Sequence, residues 1–334
     1  MPFLKRLYQY RLLLVLWLGV IVVGFLGAVL QFWHTLAMTP VLPLSIQEPV
    51  STPIPPTYAL ATDSAQPKLT AHAVWVYDRN AQQVLLAEHA EVATAPASLV
   101  KMMTALVVFD NLDLDDTVTI GSASAVPGNR AKFLSQDQFS VRDLFKTMLL
   151  FSANDAAEAL AQATSAPTSF IDQMNAKAQQ LSLRSTHFTN VTGLDDPDQV
   201  SSAQDLGHLA DQLLQNPFLE ETVSQQIATV KELRTGRLDT VYTTNNLLQR
   251  GPQFLGVKTG TTDQAGQNLI FRYRDTWPIP LGDEGEQSAD PESGTARDLD
   301  LIVVILGSQD RYQDALALLP WLQHSLRLAE NSVR

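Results

Sequence analysis

Pro96-Ala97-Ser98-Leu99-Val100-Lys101-Met102-Met103-Thr104 opens an apolar run that continues to Phe109. Read as a helix, it puts Ser98 and Lys101 on one face, because residues i and i+3 are neighbours on a helix surface. A serine hydroxyl is a weak nucleophile until a base takes its proton, and an amine can do so once desolvation has lowered its pKa. A helix starting at Pro96 or Ala97 also turns free backbone N–H groups and its positive end toward Ser98, half of an oxyanion hole. The motif is short, and roughly one chance Ser-x-x-Lys is expected in a chain of this length. Its meaning depends on what surrounds it.

Immediately upstream, residues 71–78 and 83–88 read as two strands, with Arg79-Asn80-Ala81-Gln82 as the hairpin turn between them. Downstream, a short strand is expected around Val118-Thr119-Ile120. The period then becomes helical from Val141, with Ser140 as N-cap and Asp143 at N3. Further helices are expected at about 155–163, 168–181 and 202–214, and strands at 226–231, 240–244, 254–259, 267–273 and 299–306. A last amphipathic helix is predicted over 312–328, kinked at Pro320. Strands at both ends with helices between them predict an α+β domain carrying an inserted helical subdomain at about 122–222.

Farther out, Lys5, Arg6 and Arg11 precede a stretch with no Asp, Glu, Lys or Arg until Glu48. Residues 12–34 are long and apolar enough for a single transmembrane anchor, with 1–11 as a short basic cytoplasmic end. The alternative is a cleaved signal peptide, which has a shorter apolar region and a small-residue cleavage site. Either way the rest of the chain lies outside the cytoplasm. Residues 35–68 are proline-rich and read as a semi-rigid stalk, and the folded domain is expected over 69–330. Residues 275–298 carry seven acids and Arg297 as their one base, with several prolines and glycines, and read as an acidic surface loop, neither strand nor helix. That loop is either a solvated insertion or a flap that docks a partner or excludes substrates.

Composition narrows the chemistry. The 334 residues, 45% hydrophobic and 17% charged, suit a folded chain of one or two domains. A net charge of −12 argues against nucleic acid as the partner. With no cysteine, disulfides and thiolate chemistry are excluded. The six histidines, among them His187 and His208, do not fall at metal-ligand spacing, so neither a metal nor another cofactor is expected.

Two further motifs accompany Ser98 and Lys101. Phe151-Ser152-Ala153-Asn154-Asp155 joins two predicted helices. There a hydroxyl can relay a proton, and a carboxamide offers both donor and acceptor to a substrate backbone. Gly256-Val257-Lys258-Thr259-Gly260-Thr261-Thr262 ends a predicted strand. Its lysine supplies fixed positive charge, its threonines can hold a carboxylate, and Gly260 lets a substrate backbone approach closely. Taken singly, each has an ordinary explanation as helix caps or a strand exit.

As an ordered set, Ser-x-x-Lys, Ser-x-Asn and Lys-Thr-Gly resemble the serine D-alanyl-D-alanine carboxypeptidases, the low-molecular-mass penicillin-binding proteins. The likeness runs through Met174-Asn175-Ala176-Lys177-Ala178, Thr186-His187-Phe188-Thr189-Asn190, Gly193-Leu194 and Thr244-Asn245-Asn246-Leu247-Leu248. It implies the penicillin-binding, transpeptidase-like fold, an antiparallel sheet flanked by helices with an inserted all-helical subdomain. It also implies acyl transfer on peptidoglycan stem peptides, with β-lactams as covalent inhibitors. By this resemblance Ser98 is the nucleophile, Lys101 its base, Ser152 the proton shuttle to the leaving amine, and Asn154 a substrate-orienting group. Lys258 tunes Ser152, Thr259, Thr261 and Arg311 face the terminal carboxylate beside Gly260, and the Ser98 and Thr261 N–H groups form the oxyanion hole.

Departures from the family pattern are the long acidic loop and the absence of room for the C-terminal β domain and amphipathic helix of many relatives, whose attachment the N-terminal anchor would replace. A class A β-lactamase would need Glu-x-x-Leu-Asn, absent between Asn154 and Lys258. A D,D-endopeptidase and an inert wall-binding or β-lactam-sensing protein are the remaining alternatives.

Overall fold

The computed structural model describes residues 17, 19, 21–34, 57–61, 64–164, 169–280 and 295–329. The chain divides into two compact units, Met1–Pro53 and Ile54–Arg334. In the first, 21–34 are helical with apolar side chains exposed, among them Phe25, Leu30 and Trp33. The span expected over 12–34 falls partly outside the described residues, at 12–16, 18 and 20. Among the described residues no helix is long and apolar enough to cross a membrane.

The second unit is built on a five-stranded antiparallel sheet. In chain order its elements begin with β1 (Tyr58–Leu60), β2 (Ala73–Asp78), β3 (Gln83–Glu88), α1 (Lys101–Phe109), β4 (Thr117–Thr119) and β5 (Gln138–Ser140). Five helices occupy the middle of the unit: α2 (Val141–Leu150), α3 (Asn154–Ala163), α4 (Phe170–Gln180), α5 (Ala203–Leu214) and α6 (Pro217–Ser224). Then come β6 (Ile227–Lys231), β7 (Leu238–Tyr242), β8 (Phe254–Thr262), β9 (Gly266–Ile279), β10 (Thr295–Ser308), α7 (Arg311–Ser325) and β11 (Leu326–Leu328). The sheet order is β3-β2-β10-β9-β8, so chain-terminal and chain-initial strands pair in its centre.

Both faces of this sheet are covered, which explains its nearly unbroken apolar strands. Trp75, Ile302 and Val304 point into a core shared with α1–α6, while Val74, Val76, Val303 and Ile305 point into a second core beneath α7. Helix α1 is buried from Lys101 to Val108 on all sides. That is the structural meaning of the apolar run after Ser98. The caps follow the sequence: Ser140 Oγ accepts from Asp143 N at 3.1 Å and Ser202 Oγ from Asp205 N at 3.2 Å.

Three expectations change. The folded unit reaches back into the proline-rich segment, where Tyr58–Leu60 pairs with Leu326–Leu328 and Tyr58 is 5% exposed. The Gln83 side chain locks the backbone of Tyr58 by two bonds of 2.7 Å. For the same reason the last helix stops at Ser325: the next residues are held as a strand, with Leu326 and Leu328 buried. Helix α7 continues through Pro320. Finally, the two ends of 275–298 are strand, over 275–279 and 295–298. Strands β9 and β10 stay paired out to Ile279↔Thr295 because Trp277 and Ile279 are buried, and Thr276 Oγ1 donates to Asp298 Oδ1 across the ladder at 2.6 Å. Residues 281–294 lie outside the described residues.

Candidate active site

The nucleophile stretch is not one continuous α-helix. Ala97–Val100 form a 3₁₀ turn that feeds α1 at Lys101. Ala97 is forced to φ +49°, a left-handed conformation that costs an alanine energy and is typical of functional turns. The turn is clamped from two sides. A Cβ on Gly193 (φ +84°) would lie 2.0 Å from the Ala97 carbonyl oxygen, and one on Gly260 would lie 3.0 Å from Ser98 N. Gly260 is therefore glycine because the chain itself approaches there, a different reason from the substrate approach expected of it. Asn268 Nδ2 adds a bond to Ala95 O at 3.0 Å.

Lys101 is fully buried, and its ammonium donates to Ser98 Oγ at 3.0 Å, to Asn154 Oδ1 at 2.7 Å and to the Thr192 carbonyl. Burial lowers its pKa from 10.5 to about 7, against the opposing pull of the Asp155 carboxylate. The amine therefore becomes a free base near neutral pH while within hydrogen-bond reach of the Ser98 hydroxyl. Half-buried Ser98 remains open to a substrate.

Ser152 sits at the junction of α2 and α3 with φ +62°. Lys258 Nζ donates to its hydroxyl at 2.8 Å and to Thr259 O at 2.9 Å. Lys258 is buried, and burial, then repulsion from Lys101 and Arg311, pushes its pKa well below the ordinary value. Asn154, at the start of α3, spends Nδ2 on Pro127 O at 2.8 Å and Oδ1 on Lys101. Its neighbour Asp155 takes the N–H groups of Ala131 and Lys132 at 3.0 Å and Phe133 at 3.4 Å, fastening the 131–133 loop.

On β8 the Thr259 hydroxyl pairs with that of Thr244 at 2.6 Å, and the exposed Thr261 turns its hydroxyl onto Gly260 O at 2.8 Å. Arg311, at the start of α7, donates from Nη1 to Gly260 O at 2.8 Å and Asn268 O at 2.9 Å, while its buried Nε has no hydrogen-bond partner among the described residues. The three motifs are thus joined by Lys101–Asn154, by Lys258–Ser152 and by the packing of Gly260 on the Ser98 turn. Arg311 stands behind the strand, holding its carbonyls.

Sequence reasoning passed over the turn that carries Thr192. Asn190 Oδ1 accepts from Thr192 N at 3.2 Å and Gly193 N at 2.8 Å, and so directs the Thr192 carbonyl toward Lys101. Asn-x-x-Gly was the available signal, an Asx turn that ends in a left-handed glycine. Asp155 and Asn268 were likewise visible as polar residues destined for apolar surroundings.

A protein-family model described as D-alanyl-D-alanine carboxypeptidase matches residues 60–276. The chain is 32% identical over 284 residues to D-alanyl-D-alanine carboxypeptidase DacC of Escherichia coli, covering 80% of this chain and 64% of the relative. It is 34% identical over 216 residues to D-alanyl-D-alanine carboxypeptidase DacA of Haemophilus influenzae, covering 61% of this chain and 53% of the relative. The chain thus spans between about half and two thirds of these relatives' length. The crystal structure of a Streptomyces DD-transpeptidase superposes with a TM-score of 0.66 at 28% identity, covering 77% of this chain and 98% of that one.

Proposed function

The chain belongs to the D-alanyl-D-alanine carboxypeptidase family, and from that premise we propose that it is a penicillin-sensitive serine carboxypeptidase acting on the D-alanyl-D-alanine ends of peptidoglycan stem peptides. The observation that carries this reading is the buried Lys101 amine, 3.0 Å from Ser98 Oγ with its pKa brought to about 7. Neutral Lys101 takes the Ser98 proton as Oγ adds to the carbonyl between the two alanines. The negative charge that develops on the carbonyl oxygen is met by the N–H groups of Ser98 and Thr261. Ser152, hydrogen-bonded to Lys258, relays to the departing amine the proton that Lys101 took from Ser98, so that D-alanine leaves with Lys101 neutral again and the Ser152 hydroxyl restored. Water then attacks the acyl-Ser98 ester, with Lys101 again the base, and the shortened peptide is released. Asn154 orients the substrate amide; Thr259 and Thr261 receive the terminal carboxylate, with Arg311 adding positive charge from behind Gly260. The apolar stretch at 12–34 is read as a membrane anchor that keeps this unit on the extracytoplasmic side, where its substrate lies.

The test uses the full chain in detergent, incubated with a fluorescent penicillin beside its Ser98→Ala variant. A covalent adduct on the parent and none on the variant is expected. Release of D-alanine from a pentapeptide at a higher rate than cleavage of a cross-linked dimer then separates carboxypeptidase from endopeptidase. A folded parent that takes no adduct would sink the acyl-transfer reading.

A further inference from the structure

Thr104 is fully buried on α1, one turn beyond Lys101, and the chemistry above gives it no task. A buried helical threonine commonly bonds back to the carbonyl four residues earlier. Here that carbonyl, Val100 O, is 3.5 Å away, and the shorter bond, 2.8 Å, goes to Val191 O. Val191 precedes Thr192, whose carbonyl receives the Lys101 ammonium. Helix α1 thus grips two successive carbonyls of the 190–194 turn, one through Thr104 and one through Lys101. Gln199, 2% exposed, grips the same turn from its other side. Its Oε1 accepts from Asn190 N at 3.1 Å and Thr189 N at 3.3 Å, and its Nε2 donates to Leu194 O at 3.0 Å. A turn held in this way has its carbonyls aimed by the chain before any substrate arrives.

The aim matters because the three partners of Lys101 are not equivalent. Thr192 O and Asn154 Oδ1 can only accept, whereas the Ser98 hydroxyl can also donate. Nor can the Asn154 amide be turned round, since its Nδ2 is committed to Pro127 O, another group that only accepts. When the ammonium gives up a proton, its two remaining N–H bonds stay on the two obligate acceptors and its lone pair faces the Ser98 hydroxyl. Remove the Thr192 carbonyl and the amine is free to turn about its Cε–Nζ bond. Resting on the acyl-transfer reading, we infer that Thr104 and Gln199 are positioning residues for that reaction: by fixing the 190–194 turn they hold the Thr192 carbonyl where it aims the lone pair of neutral Lys101 at Ser98. Neither side chain touches the reacting atoms; both act through Thr192.

The experiment follows acylation of the full chain in detergent by a chromogenic β-lactam, separating the limiting rate at saturation from the dissociation constant of the non-covalent complex, across pH 5–9. Thr104→Val keeps the shape of the side chain and removes the hydroxyl. Its limiting rate is expected to fall about tenfold, as for one lost buried hydrogen bond, with the dissociation constant unchanged. The midpoint of its pH profile is expected to move toward acid, because a loosened Thr192 carbonyl supports the ammonium less. Asp155 and Lys258, the charges that act on Lys101, are present in every variant. Thr104→Ser restores the hydroxyl and is expected to return both the rate and the midpoint toward the parent. Gln199→Met should reproduce the pair of changes from the other side of the turn, and the Thr104 pair decides alone if that variant does not fold. A parent-like limiting rate in Thr104→Val, a loss confined to binding, an unmoved midpoint or a failure of Thr104→Ser to rescue overturns the inference. A penicillin adduct on the parent combined with any of these rejects the positioning role alone, whereas a folded parent with no adduct rejects acyl transfer and the positioning role with it.

Discussion

The burial of Lys101 makes the activity a titration. In the proposed mechanism the neutral amine is the base, so the rate of Ser98 acylation is expected to climb as pH rises through about 7 and to level off above. The Asp155 carboxylate opposes the burial effect by favouring the charged amine. Asp155→Asn should therefore let Lys101 lose its proton more readily, and the midpoint of the acylation profile should move toward acid. Stopped-flow acylation by a chromogenic β-lactam across pH 5–9 is the measurement; a midpoint that stays put or moves to alkali would exclude the coupling. The same shift has a stability consequence whose sign is fixed. Between about pH 7 and 10.5 the unfolded chain holds a proton at this position that the folded chain has shed, so this group's contribution to stability rises with pH across that window. Ser98, Lys101, Ser152, Asn154 and Lys258 could be read from the chain because each lies in a short motif whose residue types announce their chemistry. For Thr192 the Asn-x-x-Gly pattern signals the turn but not the contact with Lys101, since the residue contributes a carbonyl and every residue has one. The role of Arg311 could not be read: its guanidinium binds strand carbonyls that only the folded hairpin brings to it.

Among the elements, those with a strong period declared themselves. Helices α2, α3, α4 and α5 carry apolar residues every three or four positions, all but α3 behind a serine cap, and their observed limits fall within a few residues of those expected. Shorter elements whose partner lies far away in sequence did not. Tyr58–Leu60 is three residues long, sits among prolines and becomes a strand only because Leu326–Leu328 arrives from the other end of the chain. No local pattern encodes such a pairing. Likewise the outer part of the β9–β10 hairpin has an acidic, proline-bearing sequence, and what keeps it paired is the burial of Trp277 and Ile279. The strap formed by β1 and β11 closes the core beneath α7, where Tyr58 packs among the side chains of the second core. Tyr58→Ala removes an almost fully buried ring and is expected to lower stability by about 2–4 kcal/mol, the range for large-to-small core changes. Urea unfolding of the catalytic unit reads that loss. Penicillin acylation at Ser98, which belongs to the opposite face of the sheet, should proceed at the parent rate. An unchanged urea midpoint would mean that the strap does not hold the core.

At the scale of the whole molecule, charge and hydropathy are sorted along the chain. All of residues 12–47 lack Asp, Glu, Lys and Arg, whereas seven acids are gathered within 275–298. The break between the two compact units falls after Pro53. Tyr58 lies beyond it, so a catalytic fragment cut at Leu69 would lose β1, while one cut at Ile54 keeps both cores and the strap. A membrane role for the first unit rests on a specific property: about 20 consecutive apolar residues suffice to span a bilayer core, and the basic residues before them set the orientation. The full chain is therefore expected to stay with membranes through an alkaline carbonate wash. A chain of residues 54–334 should remain in the supernatant, melt in one cooperative transition and label with penicillin as the parent does. Extraction of the full chain by carbonate would assign 12–34 to a surface-bound or removable segment. The catalytic unit would then owe its location to some other attachment, with its chemistry unaffected, because Ser98, Lys101, Ser152 and Lys258 and every side chain that positions them lie after Ile54.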